Sequence, residues 1–149
     1  MQETRTREFR VEDGRSTIDV FIGKSKRPVF TLYYNPADMF IAGYIENICK
    51  GFEEIDNDMK RGMIEELEYA ANLGNVLAEN FDAICGEGTA RLIGRYDTSG
   101  EYELFFDIMD EIQKGIEAHL TAMAEKAKKD QVQAVIDSRK EGSSYIAPQ

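Results

Sequence analysis

Asn35-Pro36-Ala37-Asp38-Met39-Phe40-Ile41 is the stretch at which the sequence changes from strand patterns to helix patterns. Asn35 is a preferred helix cap, Pro36 suits a first helical turn because its missing N–H needs no partner there, and Asp38 places negative charge at the positive helix end. Apolar residues then recur at helical spacing, at Ile41, Ile45, Ile48, Phe52 and Ile55. This spacing places them on one face. The sequence therefore predicts a helix that begins at Pro36 and ends near Ile55.

The residues before this stretch have the pattern of a small antiparallel sheet. Alternating apolar residues and residues with high strand propensity mark three strands, and Gly-containing turns separate them. We expect strands at residues 7–11, 18–22 and 29–34. The turns between them are expected at residues 13–14 and 23–26. The sequence therefore predicts an N-terminal three-stranded antiparallel β-meander over residues 6–34, which a helix must cover.

The residues after the stretch have helical spacing almost throughout. Asp56-Asn57-Asp58 is expected to end the first helix and cap the next, and Gly86-Glu87-Gly88 is expected to stop that one. The later helical segments are expected at residues 59–85 (one helix, or two with a break at Gly74), 89–93 (a single turn) and 101–137. The expected fold is α+β, a single domain over residues 1–149 with a mainly helical bundle at 36–137, an extended C-terminal helix and a flexible tail at 139–149.

The charge of the chain bears on the partners that it can bind. The sequence has 28 acidic and 18 basic side chains, a net charge of −10. Residues 36–123 carry −13, whereas residues 1–35 carry +2 and residues 124–149 carry +1. Such acidity repels a phosphate backbone, so nucleic acid is an unfavourable ligand and a basic protein segment a favourable one.

The start of the chain and the two cysteines bear on its location. The first residues lack the apolar run of a signal peptide, and no segment has the roughly 18 apolar residues that a membrane span needs. We therefore expect a cytoplasmic protein with no membrane contact. Cys49 and Cys85 have no second Cys or His at metal spacing, so both are expected to be reduced packing residues.

Catalytic, metal and cofactor motifs are weak in this sequence. His119 is the only histidine, and no residue near it in sequence would orient it for acid/base catalysis. A calcium loop starting at Asp56 would need different residues at its fifth, sixth and twelfth positions, where Lys60, Arg61 and Leu67 stand. The glycines at 86–88 lack the preceding strand and following Lys of a phosphate loop. We expect no enzyme, no bound metal and no cofactor.

Aromatic residues cluster on both sides of the Asn35-Pro36 junction. The cluster consists of Phe30, Tyr33, Tyr34, Phe40 and Tyr44. Exposed clustered aromatics mark protein interfaces, which makes these five residues the candidate partner-binding surface. The alternative is that the same rings fill the core between sheet and helix. The extended last helix and this cluster together predict a homo-oligomer, because one small domain cannot easily bury both.

The order of three motifs resembles that of a known protein family. Residues 29–40 (VFTLYYNPADMF), residues 84–89 (ICGEGT) and residues 105–112 (FFDIMDEI), followed by a Lys-rich helix, are similar to small proteins from tail-gene clusters of phages and prophages of Gram-positive bacteria. In that family a strand leads into an Asn-Pro-x-Asp helix start, a Phe-Gly-x-Gly-like element follows, where this chain has Cys85 in place of the Phe, and a helix with a Met-Asp-Glu-like centre closes the domain.

The resemblance implies a tail assembly chaperone that works in the host cytoplasm. Such a protein binds the tape measure protein, helps to recruit the major tail protein and is absent from the finished virion. The resemblance implies no catalytic residue. Two alternatives remain: an acidic phage-encoded inhibitor or trigger of a bacterial defence system, and a structural tail or neck subunit. Acidic residues along one face would favour the inhibitor, and acidic residues spread over several helices would favour the chaperone.

Overall fold

A computed structural model of the protein describes residues 14–144 and has the α+β class that the sequence predicts. Two strands and four helices follow in chain order: β1 (Ser16–Val20), β2 (Phe30–Tyr34), α1 (Ile41–Lys60), α2 (Glu66–Cys85), α3 (Thr89–Tyr96) and α4 (Glu103–Ser144). The described residues therefore contain two of the three predicted strands. The strand predicted at residues 7–11 lies outside the described part of the chain.

The two strands form an antiparallel hairpin that lies on the helices. Ser16 is opposite Tyr34 and Val20 is opposite Phe30. The connection between the strands includes Gly23, whose φ of 57° suits glycine in a tight turn. Because side chains alternate along a strand, every second residue of β2 faces the helices, and Phe30, Leu32 and Tyr34 are all buried. A two-stranded sheet this small is stabilised by the helices beneath it.

The core lies between this hairpin and one face of each helix. It contains the apolar stripe predicted for the first helix, of which Ile41 and Ile48 are fully buried. The core residues that the other helices contribute are Leu73, Leu77, Phe81 and Ile84 from α2, Ala90 and Ile93 from α3, and Phe105, Ile108, Met109 and Ile112 from α4. Phe81 and Phe105 meet edge to face, with ring centroids 5.5 Å apart. All six elements therefore share one core.

The first helix begins later than the sequence predicts. The Asn35 side chain caps a turn, because its Oδ1 accepts the backbone N–H of Ala37 at 3.0 Å. A second such turn follows, in which Asp38 Oδ1 accepts the N–H of Phe40 at 2.9 Å. Helix α1 then begins at Ile41 without a side-chain cap. The prediction of a helix start at Pro36 was wrong because Asn and Asp side chains stabilise turns as readily as helix ends.

The same helix also ends later than predicted. Asp56-Asn57-Asp58 lies inside α1, which runs to Lys60. The end is made by Gly62, whose φ of 71° is left-handed. The N–H of Gly62 donates to the carbonyl of Met59 at 3.1 Å, and the N–H of Met63 donates to that of Asp58 at 2.9 Å. This is a Schellman motif, in which a glycine ends a helix by closing two backbone bonds.

One carboxylate joins the end of α2 to the start of α3. Asp82 accepts the N–H of Gly88 on Oδ2 at 3.1 Å and the N–H of Ala90 on Oδ1 at 3.0 Å. Gly86 and Gly88 have φ of 112° and 87°, so they supply the reversal that the predicted helix stop needs. The segment after it is a helix of eight residues, α3, rather than the single turn predicted. Gly74 makes no break, because α2 is continuous through it.

Helix α4 is about twice as long as any other helix of the described chain. Its 42 residues run from Glu103 to Ser144, so residues 139–144, which the sequence assigned to a flexible tail, are helical; the rest of that predicted tail lies outside the described chain. The first part of α4 is packed, and up to residue 140 the last buried side chain is that of Ile112. Residues 120–140 are all exposed. The extended C-terminal helix that the sequence predicts is therefore present.

A close contact fixes α4 against the hairpin. A Cβ added to Gly115 would overlap the Tyr34 hydroxyl and lie 2.9 Å from Tyr34 Cζ. Gly115 therefore leaves room for the buried ring of Tyr34.

We predict that Gly115→Ala lowers the free energy of unfolding by about 1 kcal/mol or more, because the added methyl group overpacks this contact. The matched control is Gly74→Ala, where a Cβ would meet nothing within 4 Å and the helix should gain about 1 kcal/mol. Urea titration followed by circular dichroism measures both changes. Equal stabilisation by the two substitutions would disprove the contact.

We also predict that Asp82→Ala costs about 1 kcal/mol of unfolding free energy, because two N–H groups at the start of α3 lose their acceptor. Glu79→Ala, an exposed acid one turn earlier in α2, is the control and should change stability by less than about 0.5 kcal/mol. The same titration measures both. Losses of the same size would show that Asp82 acts only through its charge on the helix.

Candidate functional site

The structure divides the five aromatic residues predicted to form the partner-binding surface. Phe30 and Tyr34 are 9% and 5% exposed and belong to the core. Tyr33 and Phe40 are 48% and 66% exposed, and Tyr44 is half-buried against the core. Phe30 and Tyr34 therefore lie where no partner can reach most of their surface. The candidate surface reduces to Tyr33, Phe40 and Tyr44.

The alternation of β2 explains this division. Tyr33 lies between two inward-facing residues and so faces solvent, where the guanidinium of Arg15 lies 5.3 Å from the centre of its ring. Phe40 lies in the turn before α1, next to Met39, which is 83% exposed. The bond from the Phe40 N–H to Asp38 shapes this turn and leaves both side chains outside the core. We call residues 33–44 the β2–α1 segment; it presents large apolar side chains to solvent.

A cleft with a volume of about 780 Å³ lies between α1, α2 and the start of α4. No sequence pattern indicates this cleft. Its lining residues come from three separate parts of the chain: Cys49, Phe52, Glu53, Asp56, Asn57 and Lys60, then Tyr69, then Gly100, Glu101, Tyr102 and Phe106. We call it the aromatic–acidic cleft.

Three of its rings form one wall. Phe52 meets Tyr102 and Phe106 edge to face, with ring centroids 5.5 Å apart in both pairs and planes at 81° and 82°. Such pairs stabilise one another beyond the burial of their surface. Tyr102 has a φ of 61°, which is uncommon for a residue with a Cβ. The turn before α4 thus holds this ring against α1.

The lining of the cleft also contains a short hydrogen bond between helices. The Tyr69 hydroxyl of α2 donates to Asp56 Oδ1 of α1 at 2.6 Å. This bond, then desolvation of the phenol, raises the pKa of Tyr69 to about 12, because ionisation would place a phenolate beside a carboxylate. Glu53 and Glu101 are exposed at the rim, and Lys60 is the only basic residue of the lining.

These groups suit the binding of a basic or amphipathic segment more than catalysis. Aromatic faces attract cations and apolar side chains, and the carboxylates attract cations. His119 is half-buried on α4, and no hydrogen bond joins its ring to another described side chain. Within residues 14–140, no group of three or more His, Cys, Asp or Glu could hold a metal ion. The helices of the described residues include no candidate for a membrane-spanning segment.

The two cysteines are free thiols, as the sequence predicts, but they differ in burial. Cys85 is half-buried, and burial raises the pKa of its thiol to about 11. Cys49 is exposed in the lining of the cleft, so the prediction that it is a packing residue was wrong. The residue falls between the buried positions of the α1 stripe, on the side that faces the cleft.

We predict that the Tyr69 to Asp56 bond stabilises the protein up to high pH. The pKa of Tyr69 is higher in the folded chain than its unfolded value of about 10, so its contribution is present below pH 10 and is lost as the pH rises towards 12. Tyr69→Phe should therefore lower stability at neutral pH and flatten the alkaline loss. Tyr33→Phe, an exposed tyrosine, is the control. Identical alkaline profiles for all three proteins would contradict the bond.

In comparisons with known proteins, no family model matches this chain, and no curated protein or solved structure matches it either.

Proposed function

We propose that this protein is a phage or prophage tail assembly chaperone that acts in the host cytoplasm, binds the tape measure protein and helps to recruit the major tail protein. The proposal rests on the resemblance of the three sequence motifs and on the chemistry of the surface. Its two partner-facing parts are the β2–α1 segment and the aromatic–acidic cleft. We assign it no catalytic residue and no cofactor.

The observation that carries the proposal is the exposure of large apolar side chains on a strongly acidic chain. Met39 and Phe40 are adjacent and are 83% and 66% exposed, although a buried core lies one residue away at Ile41. Exposed side chains of this size are typical of protein-binding surfaces. A chaperone for a long partner needs such groups together with enough net charge to stay dissolved while they are uncovered.

The distribution of the acidic residues favours the chaperone over the acidic inhibitor. Exposed acids lie on three helices, and examples are Glu46 and Glu54 on α1, Glu66 and Glu79 on α2, and Asp107 and Glu117 on α4. A mimic of a phosphate backbone needs its charges along one continuous track. Acids spread over three helices supply solubility and attract basic partner segments from several directions.

The test is co-expression with the tape measure protein of the same gene cluster, followed by affinity capture. We predict a soluble complex that Phe40→Ser weakens about tenfold or more, because an anchoring ring is lost. Leu67→Ser, which removes an apolar side chain that is 86% exposed near the start of α2, is the control and should leave binding unchanged. Raised salt should weaken the complex only modestly.

Two results would contradict the proposal. One is the absence of any complex when both proteins are soluble. The other is a complex that moderate salt dissolves while Phe40→Ser has no effect, which would support the acidic inhibitor. Detection of the protein in purified virions would instead support the structural tail or neck subunit.

A further inference from the structure

The aromatic–acidic cleft contains two kinds of side chain that differ in exposure. The acids Glu53 and Glu101 are exposed at its rim. The aromatic rings of the lining are half-buried; they belong to Phe52, Tyr69, Tyr102 and Phe106. The faces of aromatic rings carry partial negative charge, so rings and carboxylates attract the same kind of ligand. A cation that enters the cleft meets the carboxylates first and the rings behind them.

The acids of the lining have hydrogen-bonding capacity left. Within residues 14–140, the side chains of Glu53 and Glu101 form no ion pair and no hydrogen bond. Asp56 uses Oδ1 for the Tyr69 hydroxyl. Its Oδ2 is accessible, because the one buried side-chain oxygen without a partner in the described residues lies elsewhere, at the end of α3. Since Lys60 is the only basic residue of the lining, three carboxylates leave the cleft negative.

The three carboxylates come from two parts of the fold. Glu53 and Asp56 are three residues apart on α1 and so share a side of that helix, whereas Glu101 lies in the connection before α4. A ligand that binds both parts must donate hydrogen bonds in more than one direction. A guanidinium has five N–H donors in a rigid plane, stacks on aromatic faces and is more weakly hydrated than an ammonium. Arginine therefore suits this lining better than lysine.

We propose that the aromatic–acidic cleft is a docking site for an arginine side chain of a partner protein, with the guanidinium on the rings and its N–H groups directed to Glu53, Asp56 and Glu101. A volume of about 780 Å³ is that of a site for a ligand larger than one side chain. The arginine therefore enters as part of a segment, whose apolar side chains contact the remaining ring surface. The inference rests on the proposed function only in naming the tape measure protein as the chain that carries this arginine.

The first experiment compares three peptides in NMR titrations of the ¹⁵N-labelled protein. The probes are acetyl-Leu-Arg-Leu amide and its counterparts with lysine or with citrulline, which keeps the shape of arginine without its charge. The arginine peptide should shift the amide signals of residues 49–60 and 100–106. It should bind about threefold more tightly than the lysine peptide and about tenfold more tightly than the citrulline peptide. Equal affinity of the three peptides, or shifts confined to other parts of the chain, would overturn the proposal.

The second experiment locates the binding with charge variants at exposed positions, where substitutions affect folding little. E53Q/E101Q should weaken the arginine peptide about tenfold, because two charge-assisted contacts are lost. E79Q/E117Q removes the same charge outside the cleft and is the control, which should change the affinity by less than about twofold. Lys60→Gln should tighten binding about threefold, because a repelling charge leaves the rim. Equal losses in the two double variants, or weaker binding by Lys60→Gln, would refute the site.

Failure of this inference is distinguishable from failure of the proposed function. A tape measure complex that Phe40→Ser weakens, formed by a chain that binds the three peptides equally, would refute the arginine site and leave the proposed function standing. Arginine-selective binding in the cleft by a chain that forms no complex with the tape measure protein would support the site and contradict the proposed function.

Discussion

The close approach of α1 to α2 at Gly51 is the constraint on which much of the structure depends. A Cβ at this position would lie 3.0 Å from both terminal carbons of Val76, closer than side chains normally come. The absence of a side chain lets Val76 lie against the backbone of α1. The two helices then share the core residues on one side, and on the other they bring Asp56 to the Tyr69 hydroxyl. The aromatic–acidic cleft is therefore a product of the same helix pairing as the core.

The sequence predicts the elements of this fold better than it predicts their ends. The spacing of Ile41, Ile45 and Ile48 determines which face is buried, because a helix that buries that stripe has few other ways to pack. The ends depend on a competition between local hydrogen bonds. Asn35 has a side chain that can cap a helix, but it caps a turn instead. Gly62 has no capping side chain, yet its left-handed backbone ends the helix. Such competitions are decided by a few tenths of a kcal/mol and by packing elsewhere.

The sequence predicts the exposure of a candidate-site residue only where side chains alternate regularly along a strand. Tyr33 is exposed and Tyr34 buried because neighbours on a strand face opposite sides, a rule that sequence contains once the strand is recognised. The cleft follows no local rule. Phe52, Tyr69 and Tyr102 are separated by 17 and 33 residues and meet only because α1, α2 and α4 pack together. Each of them taken alone is an unremarkable aromatic residue of a helical segment.

The position of the last buried residue divides the described chain into a part that core packing constrains and a part that it does not. All buried apolar side chains of the described residues lie between Val20 and Ile112, whereas residues 121–140 contribute nothing to the core. Substitutions beyond residue 120 are thus free of the packing constraints that most mutations violate, and their cost to folding is small. The surface chemistry of this segment can therefore change at little cost to the folding of the domain that carries it.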